Sequence, residues 1–313
     1  MDALINVVLP IFGIIFTGYL AGRFEALGPE SAAALNRFVF YFAVPAALFV
    51  FTARAPIDKI FNWPFIAAFV SGALLTLLIA IIVGRLWFHH RDVATLSMVG
   101  LTAGWGNLGY MGLPLLLTAY GPDGALPTIV SILSTSIMFV SSAIAVLEGT
   151  RASGPSTLRV ASHLAGTLLR NPLVISPLLG ILFSMTALPL PKAASNYLDL
   201  MAAAVVPAAL FALGLSLVGR KLIGNVGEVI WLAALKSVVN PILTFALVTH
   251  VFAMDPLWSQ AAIILSAMPI AANTYVIAQQ YNVYFKTVSA AIVISTGMSV
   301  VTIFFLLNWF EVG

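Results

Sequence analysis

Of 313 residues, 61% are hydrophobic and 8% charged, and the mean hydropathy is +1.06, which is more apolar surface than a water-soluble fold can hide. The net charge of +3 does not point to nucleic acid, because basic residues in a membrane chain mostly set orientation. With no cysteine, disulfides, thiol nucleophiles and cysteine-ligated metals are excluded. The four histidines never take helical ligand spacing, so neither a metal site nor a cofactor is expected.

Apolar windows of about 20 residues, separated by charge, Gly and Pro, predict an all-α membrane protein of ten transmembrane helices. They cover residues 4–22, 36–53, 63–84, 94–119, 127–147, 171–189, 200–218, 229–252, 258–280 and 287–309. The first has no basic region before it and no small-residue cleavage site after it, and is expected to stay as a helix. His89 and His90, beside Arg91 after the third span, read as a solvated junction. One set of loops carries Arg23, Arg37, Arg85, Arg91, Arg151, Arg159, Arg170, Arg220, Lys221 and Lys286, the other only Arg54, Lys59 and Lys192. The positive-inside rule makes the first set cytoplasmic and puts both termini on the periplasmic or extracellular side.

The longest connection, residues 148–170, contains Gly149, Ser153, Gly154, Pro155 and Ser156 at the middle of the chain and reads as a cytoplasmic linker. The flanking halves, 1–147 and 171–313, repeat each other. Val44-Pro45-Ala46-Ala47-Leu48-Phe49 recurs as Val206-Pro207-Ala208-Ala209-Leu210-Phe211, 162 positions later. Pro10 and Gly13 match Pro177 and Gly180 at an offset of 167, and Ser134-Thr135 matches Ser295-Thr296 at 161. Since five spans are an odd number, the second half enters the membrane from the opposite side, which makes the repeats inverted, a common transporter architecture.

Span 4 carries Gly104-Trp105-Gly106-Asn107-Leu108-Gly109-Tyr110-Met111-Gly112-Leu113-Pro114, and span 9 carries Met268-Pro269-Ile270-Ala271-Ala272-Asn273. Gly and Pro interrupt helical hydrogen bonding, and freed backbone is tolerated at that depth only where protein or a wet cavity satisfies it. Two interrupted helices in equivalent positions point to a substrate site at residues such as Asn107, Gly109, Gly112, Pro114, Pro269 and Asn273. Half-helix N-termini there would favour an anion. The plainer alternative is that the glycines serve close helix packing.

Lys236 is the one clearly intramembrane charge. It either attracts a substrate carboxylate, replaces a coupling cation by changing its own protonation, or snorkels to the cytoplasmic boundary. Thr135 and Thr296 are candidate contributors to a coupling-ion site for proton or sodium, although hydroxyls in membrane helices also bond their own backbone. All eleven Asp and Glu residues fall in loops or at span ends, which disfavours a sodium/proton exchanger built on buried carboxylates. No span holds a catalytic set, so an enzyme is not expected. A membrane sensor using the same cavity remains as the alternative to a transporter.

At these residues the chain resembles the auxin efflux carrier family, in its bacterial branch. The resemblance runs from the first span to the last and rests on Leu35-Asn36-Arg37 through Phe49, Gly106-Asn107 through Leu115, Arg170-Asn171-Pro172-Leu173, and Met268-Pro269 through Asn273. It implies the fold of bile-acid sodium symporters and sodium/proton antiporters, with helices 4 and 9 broken and crossing. It further implies a scaffold of spans 1, 2, 6 and 7, whose faces carry Pro45 and Pro207 and make a homodimer contact, and a moving domain of spans 3 to 5 and 8 to 10. Activity would be elevator-type secondary transport of small organic anions, auxin-like or malonate- and malate-like, across a bacterial inner membrane. Pro114 and Pro269 match the crossover prolines and Asn107 the amide lining the site. Leu108 stands where the family pattern has threonine, and the long hydrophilic loop of plant members is absent.

Overall fold

The computed structural model describes residues 4–150, 157–219 and 224–312. Residues 151–156 of the expected linker, with Arg220 and Lys221, and the side chain of Arg159 lie outside the described ones. Every regular element among the described residues is helical. In chain order these are α1 (Ile5–Arg23), α2 (Pro29–Arg54), α3 (Trp63–Leu86), α4 (Val93–Gly104), α5 (Leu113–Tyr120), α6 (Ala125–Gly149), α7 (Thr157–Leu169), α8 (Pro172–Ser184), α9 (Lys192–Leu217), α10 (Val226–His250), α11 (Pro256–Ser266), α12 (Ala272–Gln280) and α13 (Phe285–Trp309).

Among the described residues seven helical runs are long and apolar enough to cross a membrane. An eighth forms if Ser162–Leu169 and Pro172–Ser184, bent by 73°, count as one. One run, Leu108–Gly149, holds both α5 and α6, which pack against each other across a turn at Gly121, where φ is +61°, a backbone that favours glycine. Two boundaries differ from the sequence reading. The expected linker contains the helix α7, and α9 starts at Lys192 instead of residue 200, with Arg54 pairing to Asp199 at 2.7 Å in its first turns.

Four π-helical segments, Leu4–Val8, Val39–Ala43, Leu108–Gly112 and Leu235–Val239, each end two residues before a proline: Pro10, Pro45, Pro114 and Pro241. Proline has no N–H, and its ring collides with the carbonyl four residues earlier. Widening the preceding turn relieves that collision without breaking the helix.

Helix α1 packs against the second half of α9, and α2 against α8. A Cβ on Gly18 would collide with the Phe211 carbonyl, one on Gly214 with the Ile15 carbonyl, and one on Gly180 would stand 2.6 Å from the Phe49 carbonyl. Small residues let these backbones approach, as in membrane helix pairs generally. Gly18 and Gly180 are 162 positions apart, as are Phe49 and Phe211, so the two contacts use one offset. Gly13, which the sequence matches with Gly180, is instead exposed, and a Cβ there would meet nothing within 4 Å.

Large apolar side chains lie outward along these helices, among them Phe16, Leu78, Ile82, Leu182, Ile242 and Phe305. Such a surface needs hydrocarbon around it. Among the described residues the inside holds two large apolar cores, one reaching from α1 and α2 to α11, the other joining α4, α6, α10 and α13, and a small third one around Ala55, Ile60 and Ile181.

Candidate substrate site

Helix α4 stops at Gly104, where a Cβ would press on the Phe139 ring at 2.8 Å and the Ala73 carbonyl at 3.1 Å. Trp105 is then extended, and Gly106 pairs antiparallel with Ile270 in the matching gap between α11 and α12. The Asn107 N–H donates to the Pro269 carbonyl (2.7 Å), and the Ala271 N–H to the Trp105 carbonyl (2.9 Å). The Ile270 N–H donates to Ser295 Oγ at 3.1 Å. Each break thereby satisfies the other's buried backbone, which in a membrane interior costs several kcal/mol per group if left unpaired.

Pro269 lies in the second break, as the sequence suggests. Pro114 does not lie in the first, which Gly104-Trp105-Gly106 make; it is buried inside α5, after the π-helical segment.

Beside the bridge is a cavity of about 30 Å³ lined by Asn107, Gly109, Thr135 and Asn273, among others. It shares Asn107, Tyr110, Ala272 and Asn273 with a wider cavity of about 410 Å³, a size within the usual range for small-molecule sites. The far wall of the wider cavity comes from α2 and α9, through Asn36, Arg37, Phe40, Tyr41, Leu213 and Ser216. The Tyr110 hydroxyl donates to the Asn36 carbonyl at 3.1 Å and so ties the broken helix to α2.

Asn107 is the N-cap of Leu108–Gly112, its Oδ1 accepting the Tyr110 N–H at 3.3 Å. Its Nδ2 has no acceptor among the described residues, and the Asn273 carboxamide has no partner there either. Helix α12 begins after Ala271 with no side-chain cap. Two helix N-termini and two open amides therefore face one space, a donor-rich and electropositive setting.

Other sequence-predicted residues fall elsewhere. Gly112 does not line the cavities, and a Cβ there would stand 3.0 Å from the Leu265 side chain. Pro45 and Pro207 do not reach them. The hydroxyls of Thr135 and Thr296 donate to the carbonyls of Ser131 (2.6 Å) and Ile292 (2.7 Å), although Thr135 still borders the small cavity. Lys236 is 1% exposed and lines neither cavity; its ammonium does not snorkel. His89 is exposed, as expected of a solvated junction, and the half-buried His90 pairs through Nε2 with Glu228 Oε1 at 2.7 Å.

Arg37 and Tyr110 are the parts that the sequence does not assign to the site, while Ser295, in the Ser-Thr pair that the sequence offers for a coupling ion, instead accepts the Ile270 N–H. In the sequence Arg37 reads as a loop charge and as part of the Leu35-Asn36-Arg37 motif, and neither marks it as a residue lining the site.

Apolar helices with lipid-facing side chains, two broken in the interior around a donor-lined cavity, define a multi-pass membrane transporter. Comparison with known proteins agrees: residues 3–307 match the family model described as membrane transport protein, and the chain belongs to this family, that of the auxin efflux carriers. It is 32% identical over 303 residues to a protein of Rhizobium meliloti (strain 1021) named "Putative malonate transporter", covering 97% of this chain and 94% of that one. It is 28% identical over 307 residues to the uncharacterized transporter YfdV of Escherichia coli (strain K12), covering 94% of each. A mouse protein named lysosomal cholesterol signaling protein is 26% identical over 317 residues, 93% of this chain and 36% of that protein.

Proposed function

We propose that this transporter moves a small organic anion, a mono- or dicarboxylate, by alternating access. The observation that carries the reading is the meeting of two open amides, Asn107 and Asn273, with two helix N-termini, and Arg37 at the wider mouth. All of these groups donate or are positive, and a carboxylate only accepts. The name of the Rhizobium meliloti relative makes malonate the first acid to try.

In this reading the chain forms two inverted five-helix halves, residues 1–147 and 171–313, with ten spans in all. The shared offset of the glycine contacts and the pairing of the two breaks support it. Helices α1, α2, α8 and α9 act as the scaffold, and α3 to α6 with α10 to α13 as the body that slides along it, elevator fashion. The Tyr110 to Asn36 bond is then a contact that each stroke breaks. The outward leucines Leu178, Leu179 and Leu182 of α8 supply a face for a homodimer. With the arginine-rich side cytoplasmic in a bacterial inner membrane, Arg37 puts the mouth of the wider cavity on that side, and both termini are periplasmic.

The test is uptake of labelled malonate, malate and indole acetate by proteoliposomes, with unlabelled acid inside. Exchange of at least one acid supports the reading. Saturable binding of an acid without exchange would overturn it in favour of a ligand sensor, the role suggested by the mouse relative's name.

A further inference from the structure

Behind the bridge lies a polar group that the cavity does not use. Lys236 sits in the π-helical segment Leu235–Val239 and donates from Nζ to the Ser266 carbonyl at 2.7 Å. Asn240 Nδ2 donates to the same oxygen at 3.2 Å. Ser266 ends α11, so this carbonyl belongs to the negative end of a half-helix, a place where unwound helices commonly hold a coupling cation. A Cβ on Gly106 would stand 3.2 Å from Lys236 Cε and Nζ, which puts the amine against the residue that precedes Asn107. Asn240 Oδ1, Thr244 Oγ1 and Ser237 Oγ are buried nearby in sequence without partners, and Thr244 Oγ1 and Asn240 Oδ1 both point toward Gly72 of α3.

An ammonium has three donors, and this one has a single acceptor among the described residues. No ion pair involves it there. The segment packs against α3, α4 and α13, whose charged groups, Arg85, Asp92 at the α4 cap and Lys286, lie at helix ends. Glu228, two turns back on α10, is taken by His90. The one carbonyl favours the charged form, and the shortage of acceptors and of counter-charge favours the neutral one. A site held between the two suits a group that changes protonation.

We propose that Lys236 is the resident coupling cation of the crossover, doing with its own ammonium what a bound sodium ion would do. Resting on the anion-transport reading, it makes the proton the coupling ion: the amine takes one proton from solvent on one side and returns it on the other. Loss of the charge loosens the Ser266 contact under Gly106, and the change reaches Asn107 through the paired breaks.

Two arms test this. The first needs no substrate: thermal unfolding of the purified full chain in sodium, methylammonium or choline chloride. Wild type is expected to respond alike to all three. Lys236→Ala, which opens space beside the Ser266 carbonyl, is expected to be stabilised by sodium or methylammonium relative to choline. Sodium-specific stabilisation of wild type, or identical responses of the two proteins, would overturn the proposal.

The second arm uses proteoliposomes and whichever acid exchanges. A gradient of about one pH unit permits about tenfold accumulation for one coupled proton, and wild type should approach that ratio, while a sodium gradient drives none. Lys236→Arg, fixed in its charge, and Lys236→Met, fixed without one, should keep exchange in at least one case and fall to a ratio of about one. Proton-driven accumulation by both variants at the wild-type ratio refutes the assignment. If wild type exchanges no acid, the carboxylate reading fails, and the first arm still decides on Lys236.

Discussion

Replacing Gly214 by alanine puts a methyl group into the contact between α1 and α9. It would stand 2.8 Å from the Tyr19 nitrogen and 2.9 Å from the Ile15 carbonyl carbon, against 3.4 Å for ordinary contact. These are backbone atoms, and no rotamer change moves them aside, so the helices have to separate by about half an ångström or more along their contact. Overpacking of this kind costs about 1–3 kcal/mol, and Gly18 opposite would lose its fit to the Phe211 carbonyl as well. Gly13→Ala is the control: it has nothing within 4 Å, and the higher helix propensity of alanine makes it neutral or stabilising by up to about 1 kcal/mol. Tryptophan-fluorescence melting in detergent should show Gly214→Ala lower by about 2–4 °C per kcal/mol, with Gly13→Ala unchanged or higher. Equal melting temperatures for the two variants would refute the contact.

Ser295→Ala removes the acceptor of the Ile270 N–H, leaving a buried donor unpaired at a cost of about 1–3 kcal/mol; it should lower the melting temperature and slow exchange, and restored behaviour in Ser295→Thr would tie the loss to the hydroxyl. Asp92→Ala removes the cap of α4, where Oδ2 accepts from the Thr95 N–H at 2.8 Å, and should cost about 1 kcal/mol with substrate affinity intact. The Thr95 hydrogen bonds hold the Asp92 carboxyl below its usual range. Its contribution is therefore present above the unfolded-state value and lost as pH falls through the lowered one, so the gap between wild type and Asp92→Ala should close on acidification, as melting at graded pH would show.

Much of this architecture is legible in the sequence because a membrane restricts the choices. Apolar length marks the helices, and the Gly-rich run at 104–112 and Pro269 mark the breaks, since few other devices interrupt a buried helix. Asn107 and Asn273 stand out for the same reason, as amides where only apolar side chains are cheap. What escaped was the function of each interruption. Pro114 looked like a crossover proline, yet a π turn absorbs it, and spacing alone does not tell a kink from a break. Arg37 and Tyr110 gain their roles from α2 and α9 folding across the cavity, and the His90 to Glu228 pair from a loop meeting the first turn of α10, 138 positions away. Lys236 was visible as a charge, but only its burial and its bond to Ser266 separate a coupling group from a snorkelling one.

The central claim is that the paired breaks present Asn107 and Asn273 to a carboxylate. Equilibrium binding of labelled malonate to purified wild type, Asn107→Ala and Asn273→Ala tests it most directly, with Gly13→Ala as the folded control. Hydrogen bonds to a charged group contribute about 1.5–3 kcal/mol, so each asparagine variant should bind roughly ten- to a hundredfold more weakly, with Asn273→Ala melting near the wild-type temperature and Asn107→Ala, which also loses its cap on the Tyr110 N–H, destabilised by about 1 kcal/mol. Unchanged malonate affinity in both variants would contradict the account.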